Sequence, residues 1–206
     1  MDNKLDYYFF NDYTKDKDFS DKLMIRVEEI KKRYLLHNKD FDYLLKEYFV
    51  EIFSWTVFPR CILNIIGEYI SKYNIKGVID PCCGNAFHTY LFNKFLNLNT
   101  YTVDIQNEKF SWIPINEIDG KIFLKNLDIN EHNSNALLLS WIDYESLTIE
   151  LLNLFKGNMI ISVGNYVKHG SVNYVKKLKE KYSMIYEVEL LMPWNLTEKI
   201  EIYYKK

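Results

Sequence analysis

Apolar residues recur at helical spacing through the first third of the chain. Leu23, Val27, Ile30 and Tyr34 fall at i, i+4, i+7 and i+11, which predicts a helix from Ser20 onward. Phe41, Leu44, Leu45, Tyr48 and Ile52 share one side of a second predicted helix over 40–53. Ile62, Ile66, Tyr69 and Tyr73 mark a third that starts near Pro59, a residue suited to the first helical turn. Residues 1–20 read as a loosely ordered leader whose tyrosines and phenylalanines can dock on the body.

After this the period changes. Gly77-Val78-Ile79-Asp80 is a short apolar run that ends in an acid and a turn, and residues 86–97 follow as a helix with Phe87, Leu91 and Phe95 inward. Thr100–Asp104 reads as a second strand. KIFLKNLDI, residues 121–129, reads as a third, with Asp128 at its end. Ala136–Ser140 and Asn158–Val163 are the fourth and fifth. Leu147, Leu151, Leu154 and Phe155 mark a helix between them, and Val172, Val175, Leu178 and Tyr182 one after them. Strands 184–191 and 199–204 close the chain. Strand–helix alternation predicts an α/β fold, a parallel sheet covered by helices with an antiparallel hairpin at the end. No Pro/Gly/Ser-rich linker and no repeat interrupts the chain, so residues 1–56 are expected to pack on a domain of residues 57–206 as one compact unit.

Composition narrows the function. With 206 residues, 26 basic and 28 acidic side chains give a net charge of −2, without the basic excess through which counterion release drives nucleic-acid binding. Three cysteines, two of them adjacent (Cys82, Cys83), make no disulfide framework and point to a reducing compartment, the cytoplasm. The longest run free of Asp, Glu, Lys and Arg, Pro81–Asn93, has 13 residues and is rich in polar groups, too short to span a membrane. The mixed charge of the first 20 residues does not match a secretory signal.

The turn after the first strand carries the candidate chemistry. It reads Asp80-Pro81-Cys82-Cys83-Gly84-Asn85-Ala86 and leads into a helix. Small residues at 82, 84 and 86 let a ligand approach the backbone closely and leave amides of the helix start free to donate. Asp104 ends the second strand, where a carboxylate can accept from two ribose hydroxyls. The dinucleotide fingerprint G-x-G-x-x-G would need glycine at 87, which is Phe, and no Gly-Lys-Ser/Thr follows to make a P-loop.

What remains resembles motif I of the class I S-adenosylmethionine (SAM) methyltransferases, roughly acid-x-G-x-G-x-G, with Cys82 and Ala86 in place of two glycines. The form Asp-Pro-x-x-Gly-Asn is also similar to the variant in nucleic-acid methyltransferases and in an uncharacterised group of methyltransferase-like proteins. The resemblance spans residues 55–206. It implies a Rossmann-like three-layer sandwich with a seven-stranded, mostly parallel sheet in the order 3-2-1-4-5-7-6, strand 7 antiparallel, behind an N-terminal helical extension. It further implies SAM as cofactor. Asp80, Cys82, Gly84 and Ala86 would form the cofactor turn, Asp104 with Ile105 the ribose side, and Asp128 with Ile129 the adenine side. Ser140 would meet the methyl donor, and Phe58 would lie in the segment that closes over its methionine end.

For catalysis the resemblance implies Trp141 as a pocket wall, with Asp143, Tyr144 and His169 orienting or deprotonating an acceptor. Adenine-specific amino-methyltransferases carry Asp/Asn-Pro-Pro-aromatic after strand four. Here Ser140-Trp141-Ile142-Asp143-Tyr144 keeps the aromatic and lacks both prolines. Three readings stay open: direct methyl transfer to a small molecule or protein, a catalytically inactive interaction module, and a nucleic-acid methyltransferase using Lys176, Lys177, Lys179 and Lys181. These lysines otherwise read as a solvated helix face. His37 and His132 read as surface residues, and Cys82, Cys83 and His88 lack the spacing of a zinc site.

Overall fold

The computed structural model describes residues 12–34, 49–106, 111–168, 171–192 and 197–206. Helix α1 (Lys17–Tyr34) opens the described chain and α2 (Arg60–Lys72) follows the segment around residues 49–59. The alternating part runs β1 (Gly77–Asp80), α3 (Phe87–Leu96), β2 (Asn99–Asp104), β3 (Asn116–Glu117), α4 (Gly120–Asn126), α5 (Ile129–Ser134), β4 (Asn135–Ser140), α6 (Glu145–Leu154), β5 (Met159–Val163) and α7 (Val172–Lys181). The hairpin β6 (Tyr182–Leu191) and β7 (Thr197–Lys205) completes it. Of the helix predicted over 40–53, residues 40–48 lie outside the described residues and 49–52 are helical.

The seven strands form one sheet in the order β3-β2-β1-β4-β5-β7-β6, and only the pairings of β7, with β5 and with β6, are antiparallel. Alternation along the strands builds two cores. Ala136, Leu138, Met159, Ile161, Ile200 and Ile202 face α1, α2 and α3, against Phe19, Leu63, Ile66 and Phe92. Leu137, Leu139, Ile160 and Tyr203 face α4, α6 and α7, against Leu124, Leu151, Leu152 and Leu178. Each fully buried aliphatic side chain contributes about 1.5–3 kcal/mol against leaving it in water.

Three expectations are corrected. The third strand is the pair Asn116–Glu117, and most of 121–129 is the helix α4. The alternation of KIFLKNLDI misleads because Asp119 caps a helix there, accepting from the Lys121 and Ile122 amides at 2.7 and 3.3 Å. His132 is buried and not on the surface: its Nε2 meets the Leu124 carbonyl at 3.0 Å, and its Nδ1 accepts from the Lys156 amide at 3.3 Å. In the segment read as a loosely ordered leader, Tyr13 and Phe19 are wholly buried and residues 17–20 belong to α1.

Candidate active site

The carboxyl ends of β1 and β4 diverge over a cleft of about 280 Å3, lined among others by Asp80, Cys82, Gly84, His88, Ser140 and Trp141. The turn that forms its floor has two residues of left-handed backbone, Gly84 at φ +51° and Ala86 at φ +61°. A Cβ at Gly84 would meet no atom within 4 Å, so this edge of the turn is open space beside the cleft. The Gly84 amide donates to Asp104 Oδ2 at 2.9 Å and the Gln106 amide to Oδ1 at 3.1 Å, which fixes the carboxylate of β2 beside the turn.

Asp80 is almost fully buried and accepts from the Thr89 hydroxyl at 2.6 Å. Burial pushes its carboxyl up to about 7; the Thr89 bond opposes this and the Asp104 charge adds to it. Burial also pushes the Cys82 thiol up to about 12 and raises that of Cys83, so both are protonated and neither is a nucleophile.

The roof is the segment 49–58, and its carbonyls are clamped by five side chains. Arg26 of α1 donates to the Glu51 and Ile52 carbonyls, Trp112 to Ile52 at 2.7 Å, and Asn85 to Glu51 and Phe53 at 3.2 and 2.8 Å. Tyr13 donates to the Phe58 carbonyl at 2.9 Å. His88 reaches the Thr56 carbonyl through Nε2 at 2.6 Å. A carbonyl only accepts, so Nε2 carries the proton and Nδ1 is an acceptor, 3.0 Å from the Ser140 hydroxyl. Burial pushes this imidazole down to about 4, so it is neutral at physiological pH. Phe58 stacks on the ring, 4.5 Å between centroids.

Trp141 follows Ser140 with φ +49°, a conformation that costs a bulky residue about 1–3 kcal/mol. Its amide donates to the Val163 carbonyl at 3.0 Å, its Nε1 to Thr56 Oγ1 at 2.7 Å, and its ring lies 5.5 Å from that of Trp55. Trp141 also lines a second cavity of about 230 Å3 with Ile142, Asp143, Gly164, Asn165, Tyr166 and Ser171.

No family model and no curated protein matches the chain in sequence. Solved structures do match in shape. A proposed caffeoyl-CoA O-methyltransferase from Staphylococcus aureus is 13% identical, with a TM-score of 0.51 over 87% of this chain and 99% of its own. An rRNA methylase from Streptococcus thermophilus is 16% identical, with a TM-score of 0.49 over 73% of this chain and 99% of its own. The first of these, together with the strand order, decides the architecture. The chain has the class I methyltransferase-like fold.

Within that methyltransferase-like fold the expected site residues divide. Asp80, Cys82, Gly84, Ser140 and Trp141 line one cleft; Ala86 is buried in its turn, Asp104 reaches the turn, and Phe58 backs His88. Ile105 is exposed next to Asp104. Asp143 lines the second cavity, and Tyr144 is 72% exposed outside the lining of both. His169 lies outside the described residues. Asp128 and Ile129 are not brought to the cleft: both are exposed, Asp128 caps α5, and α5 feeds the amino end of β4. Their expected position after a third strand falls with that strand.

The acid that follows β3 is Asp119, next to Ile118. Ile118 donates to the Asp104 carbonyl at 3.0 Å, and at Gly120 a side chain would collide with the Pro81 carbonyl, so this corner touches the turn after β1 directly. Trp55 and His88, which line the cleft, Thr56, which bonds His88 and Trp141, and Asp119 were not among the expected site residues. The Asp119-Gly120 step before a helix was a legible capping signal, whereas nothing local marks Thr56 or His88.

Proposed function

We propose that the protein is a SAM-dependent methyltransferase. The charge of the cleft carries this reading: among the described residues its charged lining groups, Glu51 and Asp80, are both acids, and no Lys or Arg lines it. A phosphate-bearing cofactor would meet repulsion there, whereas a cofactor with a sulfonium and an ammonium group is attracted. The open edge at Gly84 and the carboxylate of Asp104 beside it suit a nucleoside whose ribose offers two hydroxyl donors. Asp119 takes the adenine-side place expected of Asp128.

When bound, the cofactor supplies an electrophilic methyl group. The chain's part is to hold an acceptor in line and keep water out. Trp141 lines both the cofactor cleft and the second cavity, which supports a position for the acceptor in that cavity, against Asp143 and the indole. Among the described residues that cavity has no basic lining residue, which favours a small molecule or a protein side chain over a nucleic-acid acceptor.

Titration calorimetry with SAM and S-adenosylhomocysteine tests the proposal. Saturable binding of both, weakened at least about tenfold in Asp104→Ala with circular dichroism unchanged, is the expected result. Absence of binding by the folded wild-type protein overturns it.

A further inference from the structure

Ser140 has its hydroxyl proton already committed. Thr56 offers His88 a carbonyl that can only accept, so the imidazole proton sits on Nε2 and the hydroxyl of Ser140 must donate to the bare Nδ1. Thr56 Oγ1 meanwhile accepts from Trp141 Nε1, the residue next to Ser140, so three hydrogen bonds close a ring between the roof, α3 and the end of β4. Thr56 is wholly buried and His88 is 4% exposed, so water does not compete for these bonds. Ser140 itself is half-buried and lines the cleft. What it offers a ligand is therefore oxygen lone pairs and no proton.

We infer that His88 is a positioning residue that makes Ser140 an obligate acceptor, selecting the ammonium group of the bound amino-acid end over its carboxylate. A carboxylate has no proton to give and would face an oxygen that has none either, within a cleft whose charged lining groups are acids. An ammonium has three protons and meets complementary charge. The inference rests on the proposed cofactor, and it concerns which end of that cofactor the strand-four terminus holds.

Two ligands separate orientation from mere shape: S-adenosylhomocysteine and its analogue lacking the α-amino group. Wild-type protein is expected to favour the first by about tenfold or more, because a hydrogen bond to a charged group is at stake. In Ser140→Ala the preference should fall to about twofold or less. In His88→Phe, which keeps a ring against Phe58 and releases the Ser140 proton, it should fall as well. A purely structural role for His88 would weaken both ligands equally and leave the preference intact, and that result overturns the inference.

A ligand-free readout stands beside this one. Nitrogen-15 spectra of wild-type protein at pH 7 should show a neutral His88 with bare Nδ1 and protonated Nε2; the opposite tautomer or a charged ring overturns the inference. Equal affinity of the wild type for both ligands overturns the ammonium assignment alone. Binding of neither overturns the cofactor reading itself.

Discussion

The amide of Gly84 donates to Oδ2 of Asp104 at 2.9 Å, tying the turn after the first strand to the end of the second. One carboxylate therefore sets the geometry of the turn and, in the proposed function, would also meet the ribose. Asp104→Asn keeps one oxygen for the Gly84 amide, turns an NH2 toward the Gln106 amide and loses the charge; Asp104→Ala loses both bonds and the charge. Thermal unfolding should show Asp104→Ala destabilised by about 1 kcal/mol or more and Asp104→Asn destabilised as well, while calorimetry shows both weakened toward S-adenosylhomocysteine.

Gly84→Ala addresses the open edge of that turn. At φ +51° an alanine costs about 1–2 kcal/mol, and its Cβ meets nothing in the folded protein. The variant should fold with a slightly lowered Tm and bind S-adenosylhomocysteine far more weakly, because the methyl group stands where a ligand would approach. Unchanged affinity would remove the turn from the site.

In the proposed function, Asp80 should make cofactor affinity depend on pH. Its carboxyl titrates near pH 7, so it is mostly neutral at pH 6 and mostly charged at pH 8. A sulfonium favours the charged form, so SAM affinity should rise across this range and binding at pH 7 should release protons, seen as a buffer-dependent heat. S-adenosylhomocysteine, without the sulfonium charge, should show less of both. Thr89→Val removes a bond that holds the carboxyl down and should move the midpoint upward.

His88 and Asp80 act on stability in opposite senses. His88 is held at about 4 in the folded state against 6.5 as a free group, so its contribution is complete above 6.5 and is lost as pH falls to 4. Asp80 is raised from 3.8 to about 7, so its contribution is complete below 3.8 and is lost as pH rises through 7. Between pH 4 and 6.5 the two slopes nearly cancel. Removing the histidine uncovers the other: denaturant unfolding should find the wild type gaining on His88→Gln by roughly 3 kcal/mol from pH 4 to 6.5.

Gly164 supports Trp141 from the neighbouring strand. Its φ is +122°, and an added Cβ would sit 3.4 Å from the indole. Gly164→Ala should cost about 1–3 kcal/mol, lower the Tm by several degrees, and shift tryptophan emission as the ring is displaced toward Trp55. An unshifted spectrum would show that Trp141 is held without Gly164.

Local pattern was enough for most of the architecture. Strands such as β4 and β5 are continuous apolar runs because both faces of the sheet are covered, and an acid at a strand end next to small residues announces a ligand turn. The turn from Asp80 through Gly84 and its meeting with Asp104 were legible for this reason. The 121–129 segment was misread because a capped short helix and a short strand share the same apolar residues; the Asp119 cap and the packing of Gly120 against Pro81 select the helix.

The sequence by itself determined the order of strands and helices outside residues 116–134, the turn at residues 80–86 and the acid that meets it, since period, glycine placement and strand-end acids act over a few residues. Tertiary structure alone decided the roof and the polar ring. Thr56, His88 and Ser140 are 32 and 52 residues apart along the chain, and their proton arrangement follows from which groups burial brings face to face. Hydrogen-bond direction, the neutral state of His88 and the raised titration of Asp80 are properties of a desolvated neighbourhood, which no local pattern encodes.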